Sequence, residues 1–127
     1  MRIDRASPIA GPVVRGMGPG GFRVDAMDGT TGVYPALLLT PRRADGWSPP
    51  PLDALDIGAL AAILDPAPEF VLLGTGHMMA RPPRTLISAL EAKGIGVEAM
   101  DSRAAARAWG VLRAEDRQIA AALYPLD

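Results

Sequence analysis

Cysteine is absent from this 127-residue chain, which also has one histidine, one lysine (Lys93) and only 5% aromatic residues. Without cysteine there is no disulfide framework, no thiolate zinc or iron-sulfur ligation and no cysteine nucleophile. The lone imidazole, His77, has no second histidine to pair with. No carboxylate lies near it in sequence to complete a metal site or a general-base relay. An excess of charge is also missing: 13 basic and 14 acidic residues leave a net charge of -1. The basic footprint of a nucleic-acid binder is therefore not there. No apolar run approaches the ~18 residues of a membrane span, and Met1 to Pro8 carries charges where a secretory signal has its apolar segment. These absences lead us to expect a cytoplasmic protein with no metal, no cofactor, no nucleic-acid partner and no membrane span.

Glycine and proline are abundant instead, at 14 and 13 residues, about a fifth of the chain, so elements must be short and turns numerous. Hydrophobic residues make up 49%. A chain of this length buries roughly two-thirds of the surface its unfolded form exposes, enough for one core and a single domain over 1–127. Pro49-Pro50-Pro51 divides that domain into unlike halves. Before it, Gly11 to Met17, Gly21 to Ala26 and Gly32 to Leu39 read as strands, with Asp28-Gly29 as the hairpin signal. The first of these has an alternative, because Gly16, Gly18, Gly20 and Gly21 around Pro19 suit a mobile segment over residues 1–20.

After the prolines the period becomes helical. Asp53 can cap a helix whose apolar stripe is Ile57, Leu60, Ala61 and Leu64, ending at Asp65-Pro66. Glu69 to Leu73 reads as a buried strand that runs into Gly74-Thr75-Gly76. Pro82-Pro83 opens a second helix that Lys93-Gly94 closes. Ile95 to Met100 is the next strand, and Ser102 can cap a helix ending at Gly110. A last helix is expected from about Ala114 to Tyr124. Strands alternating with helices of this length favour a mostly parallel sheet, here with an added β element from the first half.

Few residues suit chemistry. Gly74-Thr75-Gly76 follows a buried strand, where backbone N–H groups can receive an anion, but it lacks the third glycine and the immediate helix of a dinucleotide fingerprint. Ser7, Ser48, Ser88 and Ser102 sit in no Gly-x-Ser-x-Gly elbow. Asp53/Asp56 and Glu115/Asp116 are placed at expected helix starts, where the helix dipole favours carboxylates without catalytic duty. Arg103, Arg107, Arg113 and Arg117 can form a modest positive strip, and Met78-Met79 is either exposed apolar surface or core. No catalytic residue is assigned. The candidates for binding a ligand or partner are Gly74, Thr75, Gly76, His77, Met78, Ser102, Glu115 and Arg117.

The residues of the second half resemble a known family. Glu69 to Gly76, the proline-led helix, Gly94 to Ser102, Ala104-Ala105, Val111-Leu112, Glu115 and Arg117 together are similar to a family of small α/β proteins catalogued as a domain of unknown function. That family includes mitochondrial complex I assembly factor 3. The resemblance runs from about Gly21 to Leu123. It implies an α/β fold in three layers: a central mixed, mostly parallel sheet with helices on one face and β structure with coil from the N-terminal half on the other. It also implies a non-catalytic protein-binding or assembly module with protein partners, respiratory-chain or membrane-complex subunits among them. The alternative is a small anionic ligand-binding protein, or an unrecognised enzyme, using the groove at Gly74-Thr75-Gly76. Departures from the family pattern are Ser102 for threonine, Ala106 for cysteine, Gly110 for asparagine and Asp116 for glycine.

Overall fold

The computed structural model describes residues 11–126. Among these residues eight strands form two sheets. The first is an antiparallel meander of β1 (Val13–Gly18), β2 (Gly21–Asp25) and β3 (Thr31–Tyr34). Asp28-Gly29 does make its hairpin: Gly29 adopts φ +88°, and Asp28 Oδ1 accepts from the Thr30 amide at 3.0 Å and from its hydroxyl at 2.7 Å. Residues 13–18 form strand β1, and residues 1–10 of the expected N-terminal segment lie outside the described residues.

The second sheet has the order β5-β4-β8-β6-β7, with β4 (Leu37–Leu39), β5 (Ala44–Gly46), β6 (Phe70–Gly74), β7 (Gly96–Met100) and β8 (Ala120–Leu123). It is mixed: β6 pairs in parallel with both β7 and β8, while β4 pairs antiparallel with β8 and β5. The expected strand from Gly32 to Leu39 is broken at Pro35-Ala36, where the chain leaves one sheet for the other. Proline brings no N–H to a ladder, so it fits that break.

The largest departure from the expected elements is at the C-terminal end. The separate helix expected from about Ala114 to Tyr124 does not form: Ala114 ends α2, and residues 115–124 are not helical. Ala120, Ala121, Ala122 and Leu123 form β8, the central strand of the five, and all four are buried. Alanine favours helix as an isolated residue, but here packing decides. Ala121 and Leu123 join one apolar cluster, Ala120 and Ala122 the other. Side chains alternate across the sheet, so a run apolar at every position suits a strand covered on both faces.

Those two clusters define the layers. One face carries helix α1 (Arg84–Glu91), through Leu86 and Leu90, and a 3-10 segment, Ile57–Ile63, through Leu60 and Ile63. The opposite face carries helix α2 (Ser102–Ala114), through Ala105, Ala106 and Trp109, beside Phe22 and Val24 of the meander. The three-layer α/β class with a central mixed sheet therefore holds, but the outer layers are shared differently. One helix lies on each face, and the N-terminal β structure sits with α2.

Local details follow from spacing and caps. The segment after the prolines is two 3-10 turns, Leu52–Ala54 and Ile57–Ile63, rather than one α-helix capped by Asp53. The cap is Asp56, whose carboxylate accepts from the Ala59 amide at 3.0 Å. Ile57, Leu60 and Ile63 recur every third residue and so line one side of a 3-10 turn, which leaves Ala61 exposed. Helix α2 is capped by Asp101, which accepts from the Ala104 amide at 2.9 Å, and it continues through Gly110 to Ala114. Trp109 is fully buried and donates its indole N–H to the Pro12 carbonyl at 3.0 Å, tying α2 to the start of β1.

Candidate functional site

At the carboxyl end of β6 the sequence candidates Gly74, Thr75, Gly76 and Ser102 come together. Gly74 has to be glycine: a Cβ there would lie 2.8 Å from both Cα and Oγ of Ser102 and 2.9 Å from Leu123 Cδ2. That closeness brings the first turn of α2 against the sheet. Ser102 is fully buried, and its hydroxyl accepts from the Gly76 amide at 2.9 Å and donates to the Tyr124 carbonyl at 2.8 Å. Its own amide donates to the Gly76 carbonyl at 2.8 Å. Ser102 is therefore not the helix cap expected from sequence. It is a tie between three chain segments, its hydroxyl engaged both as donor and as acceptor.

The same bonding engages the amides of the Gly74-Thr75-Gly76 turn itself. The Thr75 amide donates to the Met100 carbonyl at 2.8 Å, and the Gly76 amide to Ser102. The Thr75 hydroxyl donates to the Met78 carbonyl at 2.8 Å and accepts from the Ala80 amide at 2.9 Å. These bonds fold the 75–80 loop back on itself and turn its middle outward. His77 is exposed, Met78 is 71% exposed and Met79 is 55% exposed. Exposed Arg81 and Arg84 follow, and no Asp or Glu occurs between Glu69 and Glu91. The result is an apolar, basic tip on a firmly bonded base.

Glu115 and Arg117 lie elsewhere. They follow α2, whose 13 residues span about 20 Å from Ser102 to Ala114, and they sit at the amino ends of β6 and β8. They are not at a helix start. Arg117 pairs with Glu69 rather than Glu115, donating from Nη2 at 2.9 Å and Nε at 3.1 Å to Oε1. The Gln118 amide donates to Glu69 Oε2 at 3.1 Å. These bonds, Arg117 first, hold the Glu69 carboxyl below its ordinary pKa, and Glu69 in turn raises that of Arg117. The guanidinium also lies 5.6 Å from the Phe70 ring centre. Beneath it, Arg113 donates to the Arg117 carbonyl at 2.7 Å, and Asp116 turns the chain at φ +59°. This cluster fastens the end of α2 to the start of β8. The four arginines do not line up as one strip: Arg113 is buried, whereas Arg103 and Arg107 are solvent-exposed on α2.

One concave feature escaped sequence reasoning. A cleft of about 360 Å³ opens beside the amino ends of β6 and β8, between the Thr40–Arg43 turn and the segment 62–68. Its walls come from residues distant in sequence, and their only shared sequence signal is proline at 41, 66 and 68. Among the described residues no group of three or more His, Asp or Glu side chains is placed to hold a metal ion, and no helix is long and apolar enough to cross a membrane.

Comparison with known proteins agrees with the resemblance read from sequence. Residues 14–124 match the family described as "Protein of unknown function (DUF498/DUF598)". An uncharacterized protein of Rhodobacter capsulatus is 34% identical over 113 residues, 89% of this chain and 84% of the relative. NADH dehydrogenase [ubiquinone] 1 alpha subcomplex assembly factor 3 of Danio rerio is 30% identical over 125 residues, 97% of this chain and 70% of the relative. A crystal structure from Bordetella parapertussis superposes with a TM-score of 0.76 at 31% identity, covering 91% of this chain and 97% of that one.

Proposed function

Because the chain belongs to the DUF498/DUF598 family, we propose that it is a non-catalytic protein-binding module with an assembly-factor-like role. Its partners are subunits of a respiratory or other membrane-associated complex. The similarity to a fish protein named as an assembly factor of NADH dehydrogenase supports the kind of role. The observation that carries the reading is the loop from His77 to Arg84. Two large apolar side chains stand out from the surface there, on a loop closed by the Thr75 hydroxyl and followed by the exposed cations Arg81 and Arg84. Methionine adapts its shape to a partner surface, and burying exposed Met is worth about 1.5–3 kcal/mol per side chain. The surrounding arginines favour a partner face that is acidic at its rim.

The test compares the wild-type protein with a Met78→Asp/Met79→Asp variant in affinity purification from the native cell under gentle detergent. The reading expects the wild type to recover a reproducible set of complex subunits and the variant to lose it, with the two proteins melting at the same temperature because both positions are solvent-exposed. Recovery of the wild-type protein alone, or an unchanged set with the variant, would overturn it.

A further inference from the structure

The cleft beside the Thr40–Arg43 turn has the form of a small-molecule site. Its accessible apolar wall is Pro41, Ala62, Pro66 and Ala67, set over a buried floor of Ile63, Ile119, Ala120 and Pro68. A volume of about 360 Å³ lies in the lower part of the ~300–1,000 Å³ range of ligand sites. Proline has no N–H, so Pro41, Pro66 and Pro68 offer ring surface and no backbone donor. Recognition of a polar group must therefore come mainly from side chains.

Of the two lining arginines, Arg43 is engaged: its Nε donates to Asp45 Oδ2 at 2.8 Å. Arg42 has no ion pair among the described residues. The turn that carries it is fixed, because Thr40 Oγ1 accepts from the amides of Arg42 at 3.2 Å and Arg43 at 3.1 Å. Asp65 also lines the cleft and does not pair with Arg42. One available cation and one carboxylate favour a single negative charge on the ligand and oppose a second. From this we infer that the cleft binds a small organic acid with an apolar body and one carboxylate. The body rests on Pro41, Ala62, Pro66 and Ala67, and the carboxylate takes the Arg42 guanidinium.

The experiment is a titration followed by amide chemical shifts, using 4-methylpentanoate, its neutral amide and the dicarboxylate glutarate. The monocarboxylate should give saturable shifts at Arg42, Arg43 and Gln118 to Ala120. The neutral amide and an Arg42→Gln variant should each bind about tenfold more weakly or worse, with Arg42→Lys retaining part of the affinity. Asp65→Asn should improve glutarate relative to 4-methylpentanoate. Arg42 and Asp65 are exposed, so these variants keep the fold. The inference is overturned if no saturable shift appears up to about 10 mM. It is also overturned if acid and amide bind alike, or if Arg42→Gln leaves affinity unchanged. A glutarate preference unmoved by Asp65→Asn removes the single-charge assignment. None of these outcomes depends on the exposed loop at His77 to Arg84, at the other end of β6.

Discussion

Replacing Ser102 by alanine tests whether the carboxyl end of the sheet is closed by this one hydroxyl. The side chain is fully buried and joins the Gly76 amide to the Tyr124 carbonyl. Alanine removes both bonds and supplies no substitute, and water has no open route to a residue with no exposed surface. A buried donor left without a partner costs about 1–3 kcal/mol, and the orphaned carbonyl adds to that, so a total near 2–4 kcal/mol is expected. For a chain of this size that lowers the melting temperature by about 10 °C. Urea unfolding gives the free energy directly, and the slope with denaturant should not change, because the surface exposed on unfolding is the same. Hydrogen exchange localises the effect: the Gly76 amide should lose protection while the central β8 amides keep theirs relative to global stability. A loss below about 0.5 kcal/mol, or a Gly76 amide that exchanges as before, would refute the assignment of Ser102 as a structural tie.

Two further substitutions probe the same region. Gly74→Ala forces a methyl group against the Ser102 backbone, and overpacking of this kind costs about 1–3 kcal/mol, so its urea midpoint should fall; an unchanged midpoint would show that α2 can move away freely. Tyr124 is pushed up to about 12 from its ordinary 10.0, by burial first and then by Asp53, and its hydroxyl donates to the Pro50 carbonyl at 2.8 Å. The unfolded tyrosine loses its proton first as pH rises. The wild type should therefore lose up to about 2 kcal/mol between pH 10 and 12, and Tyr124→Phe should flatten that decline in a pH series of urea melts.

Much of the fold was legible because local chemistry and final packing agree. Asp28-Gly29 needs a left-handed turn and forms one, and Pro82-Pro83 precedes α1 where a missing N–H costs nothing. The failures come where tertiary context decides. Ala120 to Ala122 prefer helix in isolation, and only the presence of β4 and β6 on either side makes them a strand. Ser102 and Asp101 are adjacent and both can cap. What separates them is Gly74, which lets Ser102 enter the core while Asp101 stays at the helix end. Among the candidate site residues, Gly74 to Gly76 and Ser102 do lie together at the carboxyl end of β6, joined by backbone and hydroxyl bonds. Glu115 and Arg117 belong to the other end, because the helix between them and Ser102 is long. The cleft was invisible for a different cause, since its walls meet only when β4 pairs with β8.

That pairing also explains where a ligand is expected. In open α/β sheets, ligands usually gather beyond the carboxyl ends of parallel strands. Here the carboxyl ends of β6 and β8 are closed by Ser102 and by the bond from the Tyr124 amide to the Gly74 carbonyl at 2.9 Å, leaving only the outward loop at Met78. Because β4 runs antiparallel to β8, its carboxyl end lies at the opposite edge, beside the amino ends of β6 and β8. The turn that leaves β4 supplies Thr40 to Arg43, the wall of the cleft. Reversal of one strand direction thus moves the concave surface to the other end of the sheet. It leaves the usual ligand edge to the exposed methionine loop, so the cleft and that loop lie at opposite ends of the sheet.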